Sequence, residues 1–352
     1  MALFNKKSRY LGIDISATAV KVVELSRSGE RFQVEGCAVE PLPDGAMNNR
    51  NPSDINAVGT AIRKAVKDMK SPLREAVVAV PSTSVITRTV TLPIDLDEAS
   101  IQSTLEIEAS QYIPFAIEEV YFDFDVVGPA PNDAAMQEVQ LVASRRENVD
   151  LRVDALREAG IKASVVDVET YALENTFQLL SATLPQYGSE ARFAIVDIGA
   201  WHTTLYVVRE GRTIYSREHT FGGDMLTTAI ADGLGISRAD AELAKRSGSQ
   251  DEEFASSMLA HYRNTVAEQI GQTLQFFFSS SHYSSVEHVI LTGGGSLVQG
   301  LTRAVGATLQ VPTVLGNPFE SMSIASKVRQ RELQAQAPLF ATACGLALRS
   351  FD

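Results

Sequence analysis

Leu11-Gly12-Ile13-Asp14-Ile15-Ser16-Ala17-Thr18-Ala19-Val20-Lys21-Val22-Val23-Glu24-Leu25 sets two apolar, β-branched runs around a short turn of small and hydroxyl residues. That is the pattern of a β-hairpin. Asp14 is the residue out of place. A carboxylate inside an apolar strand is costly if left dry and unpaired, so it must meet a donor, a cation or water. Taken alone it reads as a turn aspartate capping nearby amides. A second copy changes the reading, because Ala194-Ile195-Val196-Asp197-Ile198-Gly199-Ala200-Trp201-His202-Thr203-Thr204-Leu205-Tyr206-Val207-Val208 repeats the plan. Two such hairpins in one chain predict two similar half-domains facing one ligand.

A chain of 352 residues is too long for one compact core and suits two lobes or more. Its 45% hydrophobic and 21% charged residues are ordinary for a globular protein. With 31 Lys and Arg against 43 Asp and Glu, the net charge of −12 argues against nucleic acid as the main partner. Cys37 and Cys344 lie far apart without CxxC spacing and read as buried small hydrophobes, in keeping with a reducing compartment. The five histidines lack metal-ligand spacing. No run approaches the roughly 18 apolar residues of a membrane helix. The opening Met1-Ala2-Leu3-Phe4-Asn5-Lys6-Lys7 holds no apolar region long enough for a signal peptide. A cytoplasmic protein that does not itself insert into a membrane is the expectation.

Outward from the first hairpin, a third strand is predicted from Phe32 to Glu40. A helix opens at Ser53 or Asp54 with Ile55, Val58, Ile62, Val66 and Met69 on one face. Ala76 to Val80 is a buried strand. From Ser82 the texture changes to a β-α-β-β-α unit, with a helix from about Asp97 to Tyr112, that reads as an insertion in the first lobe. Ser164 to Glu169 returns as a strand, and Thr170 to Leu180 continues as a helix. After the second hairpin, a long helix from Phe254 to about Phe278 shows Phe254, Met258, Tyr262, Val266, Ile270, Leu274 and Phe277 at helical spacing. A strand from Val289 runs into Gly293-Gly294-Gly295, and a helix from Pro338 to Leu348 closes the chain.

The two hairpins offer backbone amides and hydroxyls, the groups that hold phosphate oxygens. Their carboxylates suit Mg²⁺, which takes oxygen ligands and usually keeps several waters, so Asp14 and Asp197 are expected to act on it through water. Gly293, Gly294 and Gly295 let a ligand approach the backbone where a Cβ would stand in the way. By itself a glycine triplet reads as a plain turn; joined to two Asp hairpins, it reads as a third wall.

Two phosphate hairpins and a glycine turn in this order resemble the actin, Hsp70 and hexokinase superfamily. The insert resembles the extra subdomain of the division protein FtsA. LGIDISATAVKVVELS at 11–26, VEPLPDGA at 39–46, AVVAVPSTSVITRTVTLP at 76–93, EASQYIPFAIEEVYFDFDVVGP at 108–129 and VVDVETYALE at 165–174 resemble the PilM family, the cytoplasmic FtsA-like proteins of type IV pilus assembly. The likeness runs over essentially the whole chain, and Gln111-Tyr112-Ile113-Pro114-Phe115 is not generic to the superfamily.

That resemblance implies an α/β, actin-like (ribonuclease H-like) two-lobed fold with an FtsA-type inserted subdomain. Subdomain 1A would span 1–81, continued by 164–190 and 337–352, with the insert 1C at 82–163. Subdomain 2A would span 191–228, continued by 286–336, with 2B at 229–285. The implied cofactors are ATP or ADP with Mg²⁺. Asp14 and Asp197 would take the Mg²⁺ and phosphate positions; Ser16, Ala17 and Thr18 the first phosphate turn; Lys21 a phosphate contact; Gly199, Thr203 and Thr204 the second turn. Gly222, Gly223 and Gly293 to Gly295 would flank ribose and adenine, and Glu242, Lys245 and Arg246 would contact adenosine. Glu169 matches the residue that orients water in hydrolysing relatives, and equally reads as a helix N-terminal acid favoured by the helix dipole.

The implied partner is the short N-terminal cytoplasmic tail of the inner-membrane protein PilN, with other pilus platform components and motor ATPases beyond it. Self-association stays open. The implied location is cytoplasmic, peripheral to the inner membrane through protein partners. Trp201 departs from active relatives, which keep a very small residue in that turn. Crowding there predicts nucleotide binding with little or no hydrolysis, since phosphoryl transfer depends on positioning. Two rival readings remain: a small-molecule kinase or ATPase of the same superfamily, for which no substrate-base motif is present, and an FtsA-like filament former. The latter carries an amphipathic tail, whereas this chain stops at Asp352 just after its closing helix. No GxGxxG follows the first strand and no GxxxxGK[ST] is present.

Overall fold

The first hairpin forms where its sequence pattern places it, and the chain builds outward from there. The computed structural model describes residues 9–185, 187–247 and 252–352. Strand β1 (Leu11–Ile15) pairs antiparallel with β2 (Ala19–Ser28), which pairs with β3 (Arg31–Pro41). A two-stranded hairpin, β4 (Met47–Asn48) and β5 (Asn51–Pro52), precedes helix α1 (Ile55–Asp68). Asp54 is the N-cap of α1, its carboxylate accepting from the Ala57 amide at 2.9 Å. Strand β6 (Glu75–Val80) then completes the centre of the sheet.

The insert follows as β7 (Val85–Pro93), α2 (Glu98–Ile107), α3 (Ala109–Tyr112), β8 (Val120–Ala130) and β9 (Asp133–Arg145). The predicted single helix is broken at Glu108. Strands in the order β7-β9-β8 bury Val90, Val139 and Leu141 against Ile101 and Leu105, a core separate from either lobe. Helix α4 (Arg146–Glu158) leads out of it, and β10 (Lys162–Val168) and α5 (Glu169–Ser181) return to the first lobe. Ala155 and Leu156 of α4 are buried with Val58, Ile62 and Val66 of α1, so α4 belongs to the first-lobe core. The insert therefore has its own core over 85–145, shorter than the expected 82–163, because the apolar face of α4 meets α1 instead of the insert's strands.

The second lobe holds β11 (Arg192–Ile198), β12 (Thr203–Arg209), β13 (Arg212–His219), α6 (Gly223–Leu234), α7 (Arg238–Ser247), α8 (Glu252–Ser280), β14 (His288–Thr292), α9 (Leu301–Leu309) and β15 (Thr313–Leu315). Its strand order is β13-β12-β11-β14-β15. Tyr262, Val266, Ile270, Leu274 and Phe277 of α8 are buried on one face of this sheet as their spacing predicts. The side chain of Phe254 lies outside the described residues, as does the opening 1–8.

The chain then re-crosses earlier than expected. Strand β16 (Ser323–Ile324) pairs parallel with β3, making a first-lobe order of β10-β6-β1-β2-β3-β16. Phe319, Met322 and Leu333 of helix α10 (Gln330–Gln336) and its approach bury against Val23, Leu25 and Val34. The stretch from Phe319 to 336, assigned to the second lobe from sequence, thus caps the first, because its apolar side chains fill that sheet's far face. Cys37 and Cys344 meet the same cluster as free thiols.

Helix α11 (Ala341–Leu348) is buried through its whole length except at Leu348. It lies against β1, and α5 joins it to the second lobe by burying Leu173, Phe177 and Leu180 against Phe193, Ile195 and Tyr206. The α5–α11 contact is close enough that the Thr176 hydroxyl donates to Ala341 O at 2.8 Å. At Gly345 a Cβ would stand 1.7 Å from Ala172 O and 2.5 Å from Thr176 Oγ1. Both helices anchor the sheets, so Gly345→Ala is expected to lower unfolding free energy by about 1–3 kcal/mol through overpacking. Urea titration followed by far-UV circular dichroism measures it, and an unchanged midpoint would mean that α5 and α11 separate freely.

Candidate functional site

Each Asp sits near the C-terminal end of the first strand of its hairpin. Asp14 lies opposite Lys21, and Asp197 lies opposite Thr204 and beside Thr292 of β14. Lys21 Nζ donates to Asp14 Oδ2 at 2.7 Å and to Ser16 Oγ at 2.8 Å. Ser16 Oγ in turn donates to Ala19 O at 2.9 Å. The buried carboxylate that opened the sequence reading thus has a cation as partner, and alternation on β2 puts Lys21 on the cleft side. Thr292 Oγ1 donates to Asp197 Oδ1 at 3.0 Å.

The two hairpins face each other closely enough to feel one another's charge. Enclosure raises the Asp197 carboxyl above its ordinary value; Lys21 pulls it down and Asp14 pushes it up. Glu169, in the first turn of α5, is also raised by burial, against the pull of Arg50. Arg50 lies in the two-residue turn of the β4–β5 hairpin. It pairs with Glu169 and, at 3.0 Å, with Oε2 of Glu218 on β13. Burial works against its charge, but Glu169 and Glu218 outweigh that and hold the guanidinium above its ordinary value. His202, in the second turn, is held below its ordinary value by burial, with Glu218 opposing.

The wall opposite the hairpins is built from glycine contacts. Gly223 N donates to Gly199 O and Asp224 N to Ala200 O, both at 2.9 Å, tying the second turn to the start of α6. A Cβ at Gly222 would stand 2.4 Å from Ala200 O. Gly293 has φ of 79°, and a Cβ there would stand 2.5 Å from Ile198 O and 2.8 Å from Asp197 Oδ1. At Gly295 a Cβ would meet Ile198 Cγ2 at 2.4 Å, while Gly294 faces open space. Two of the three glycines are therefore required by the chain's own packing on β11, and Gly294 is the one that leaves room for a ligand. Lys245 Nζ closes this wall, meeting Glu242 Oε2 at 2.5 Å, Thr227 Oγ1 at 2.9 Å and Gly223 O at 3.3 Å. The Arg246 side chain lies outside the described residues.

Some predicted site residues have partners within the fold. Thr203 is buried and its hydroxyl donates to Phe221 O at 2.9 Å. Thr204 is buried beside Glu218, 3.4 Å from its carboxylate. Alternation on β12 sets the two apart: Thr203 turns to the loop at Phe221, while Thr204, register partner of Asp197, shares the face of that carboxylate and of Glu218. Trp201 does not displace the turn either. Gly199 N still donates to His202 O at 2.8 Å, and the indole packs against the first-lobe core that includes Ile13, Val20 and Met47. It is an interlobe contact, so crowding of that turn gives no ground for expecting slow hydrolysis. Arg50, Glu218 and Thr292 had no motif to mark them in the sequence; only Arg50, a charged residue between Asn49 and Asn51 at a turn, carried a faint signal.

The donor set fits a hydrated divalent cation. Lys21 uses Oδ2 of Asp14 and Thr292 uses Oδ1 of Asp197, leaving one oxygen of each for water or a cation. Among the described residues no group of three or more His, Cys, Asp or Glu converges as an all-protein metal cage. Mg²⁺ tolerates this arrangement because it keeps much of its water.

Two sheets meeting at facing Asp hairpins define a fold seen elsewhere. The MreB5 protein of Spiroplasma citri, solved bound to ADP, is 12% identical with a TM-score of 0.51, covering 96% of this chain and 95% of its own. The cell division protein FtsA of Agrobacterium fabrum is 29% identical over 44% of this chain and 39% of its own length, so this chain spans about two fifths of that relative. A solved PilM–PilN type IV pilus biogenesis complex is 28% identical with a TM-score of 0.79, covering 98% of this chain and 99% of that one. The protein is therefore an actin-like, two-lobed α/β protein. The family described as type IV pilus assembly protein PilM matches residues 12–351, and the chain belongs to that family.

The enclosed Asp197 generates a prediction for the ligand-free protein. Its folded-state pKa is raised by desolvation above the ordinary 3.8, so its stabilising contribution is fully present below that value and lost as pH rises through the folded-state pKa. At pH 7 Asp197→Asn is expected to raise the melting temperature of ligand-free protein. The same change should abolish any stabilisation by a Mg²⁺-bound nucleotide. A lower ligand-free melting temperature would show that the carboxylate is better compensated than its surroundings indicate.

Proposed function

We propose that this protein is a nucleotide-holding adaptor of type IV pilus assembly. It acts in the cytoplasm and binds the short cytoplasmic tail of a PilN-type membrane protein. The observation that carries this reading is the match to the PilM–PilN complex over nearly the whole of both chains. Among the described residues no helix is long and apolar enough to cross a membrane, in keeping with attachment through a partner.

ATP or ADP would lie between the hairpins. Lys21 would meet phosphate oxygens alongside the turn at Ser16, Ala17 and Thr18 and the turn at Gly199. Asp14 and Asp197 would hold Mg²⁺ through water, and the ion would supply positive charge that offsets the carboxylates and phosphates together. Gly223, Gly294, Glu242 and Lys245 would line the adenosine end. The ADP-bound state of MreB5 supports nucleotide as the ligand of such a cleft. The nucleotide serves to fix the two lobes in one arrangement and is turned over slowly if at all. An actin-like ATPase is the competing class, and turnover separates the two.

Saturating Mg-ATP at about 100 times its dissociation constant should add about 2.7 kcal/mol to folded-state stability, read as a melting shift. The shift should vanish in Asp14→Ala. A synthetic peptide of the PilN-type tail should be retained by immobilised protein, and more strongly with Mg-ATP than without. Retention of no tail peptide under either condition would overturn the adaptor reading. Sustained phosphate release well above about 1 per second would favour the ATPase reading.

A further inference from the structure

Arg50 makes a contact that neither hairpin explains. Its turn is gripped from below by α4, the helix that leads out of the insert. Arg152 is 1% exposed and donates to Arg50 O at 2.7 Å, Asn51 Oδ1 at 2.9 Å and Asn148 O at 2.8 Å. Asn51 Nδ2 donates to Asn148 Oδ1 at 3.0 Å. An arginine buried this deeply is normally found paired with an acid. Here three carbonyl oxygens take its place, and their joint effect is to fix one backbone turn.

From that fixed turn the Arg50 guanidinium enters the cleft. It meets Glu169 at the start of α5 in the first lobe and Glu218 on β13 in the second. All three side chains are largely enclosed, between 16% and 20% exposed. Without Arg50, Glu169 and Glu218 would lose the cation that bridges them, and Glu169 would keep only the more distant pull of Arg152. Removing one partner of an enclosed ion pair is costly for that reason. The Glu169 oxygen that accepts from the guanidinium, Oε2, has fewer lone pairs to offer a water molecule.

We infer that Arg50 is an interlobe latch and a positioning residue of the nucleotide cleft: by bridging Glu169 and Glu218 it holds the lobes together over bound nucleotide and keeps Glu169 from activating water. This rests on the nucleotide reading of the cleft and explains slow turnover without Trp201. Glu169 is suited to act on water once freed, since it faces the same space as Asp14 and Asp197 and desolvation favours proton uptake at its carboxyl.

The test uses the full chain carrying Arg50→Gln, Arg50→Lys or the double change Arg50→Gln with Glu169→Gln. Three quantities are read: release of a fluorescent ATP analogue, phosphate release, and amide hydrogen exchange at 169–173 and 215–219 in nucleotide-free protein. Arg50→Gln should release the analogue faster by about tenfold or more, the scale of losing one charge-assisted tie. It should also speed phosphate release and exchange at both segments. Arg50→Lys, which keeps the charge but not the fork, should restore part of each. In the double variant phosphate release should fall back to the wild-type level while analogue release stays fast, a split that a merely structural role would not produce.

Analogue release, phosphate release and exchange all within about twofold of wild type in Arg50→Gln would overturn the latch, because a change that small is under 1 kcal/mol. Should the wild type bind no nucleotide, the proposed function fails by itself and the exchange measurement decides the latch. Faster exchange at both segments then supports it, and unchanged exchange overturns it. Where Arg50→Gln does not fold, Glu218→Gln cuts only the tie to the second lobe. It is expected to speed analogue release, and unchanged analogue release overturns the latch.

Discussion

Four carboxylates, Asp14, Glu169, Asp197 and Glu218, converge from two lobes on one enclosed cleft, and their mutual repulsion has to be answered by the rest of the molecule. Lys21 answers it within the first lobe and Arg50 answers it between the lobes. Among the described residues, Asp197 receives only a neutral hydroxyl, from Thr292, as a direct partner. The cleft therefore keeps an excess of negative charge. Added positive charge offsets that excess, and under the proposed function a bound Mg²⁺ would supply it.

Holding the two hairpins opposite each other is the work of the layer between the sheets. Helix α5 packs on strands of both lobes, and α11 lies between α5 and β1 with almost no exposed surface. This layer tolerates little addition, as the space at Gly345 shows. The same logic recurs at the cleft wall, where Gly222 and Gly293 let loops touch backbone to backbone and Gly295 packs on the Ile198 side chain. Close contact there fixes where Asp197 and Gly294 stand, so the site's geometry is a consequence of packing in the second lobe.

The insert is joined to this machinery through one helix. Its own core closes over 85–145, while α4 is buried in the first lobe and fixes the turn that carries Arg50. A surface outside the cleft and a contact inside it are thus linked by a short run of hydrogen bonds.

Both Asp hairpins, the apolar stripes of α1 and α8 and the presence of an insert were legible from the sequence, because strand alternation, helical spacing and turn residues are local properties. The PilM-type family was legible too, since its phrases are contiguous. What the sequence left open were contacts between residues far apart in the chain. Arg50 and Glu169 are 119 positions apart, and nothing local to either announces the other. The packing of Trp201 on the first lobe was decided by which way its turn faces, and the crossing of Phe319 to 336 back to the first lobe by which sheet had an uncovered face. Local pattern determined the elements and the chemistry that they carry. Only tertiary packing decided which charges share the cleft, because charge pairing depends on distance in space and not on order along the chain.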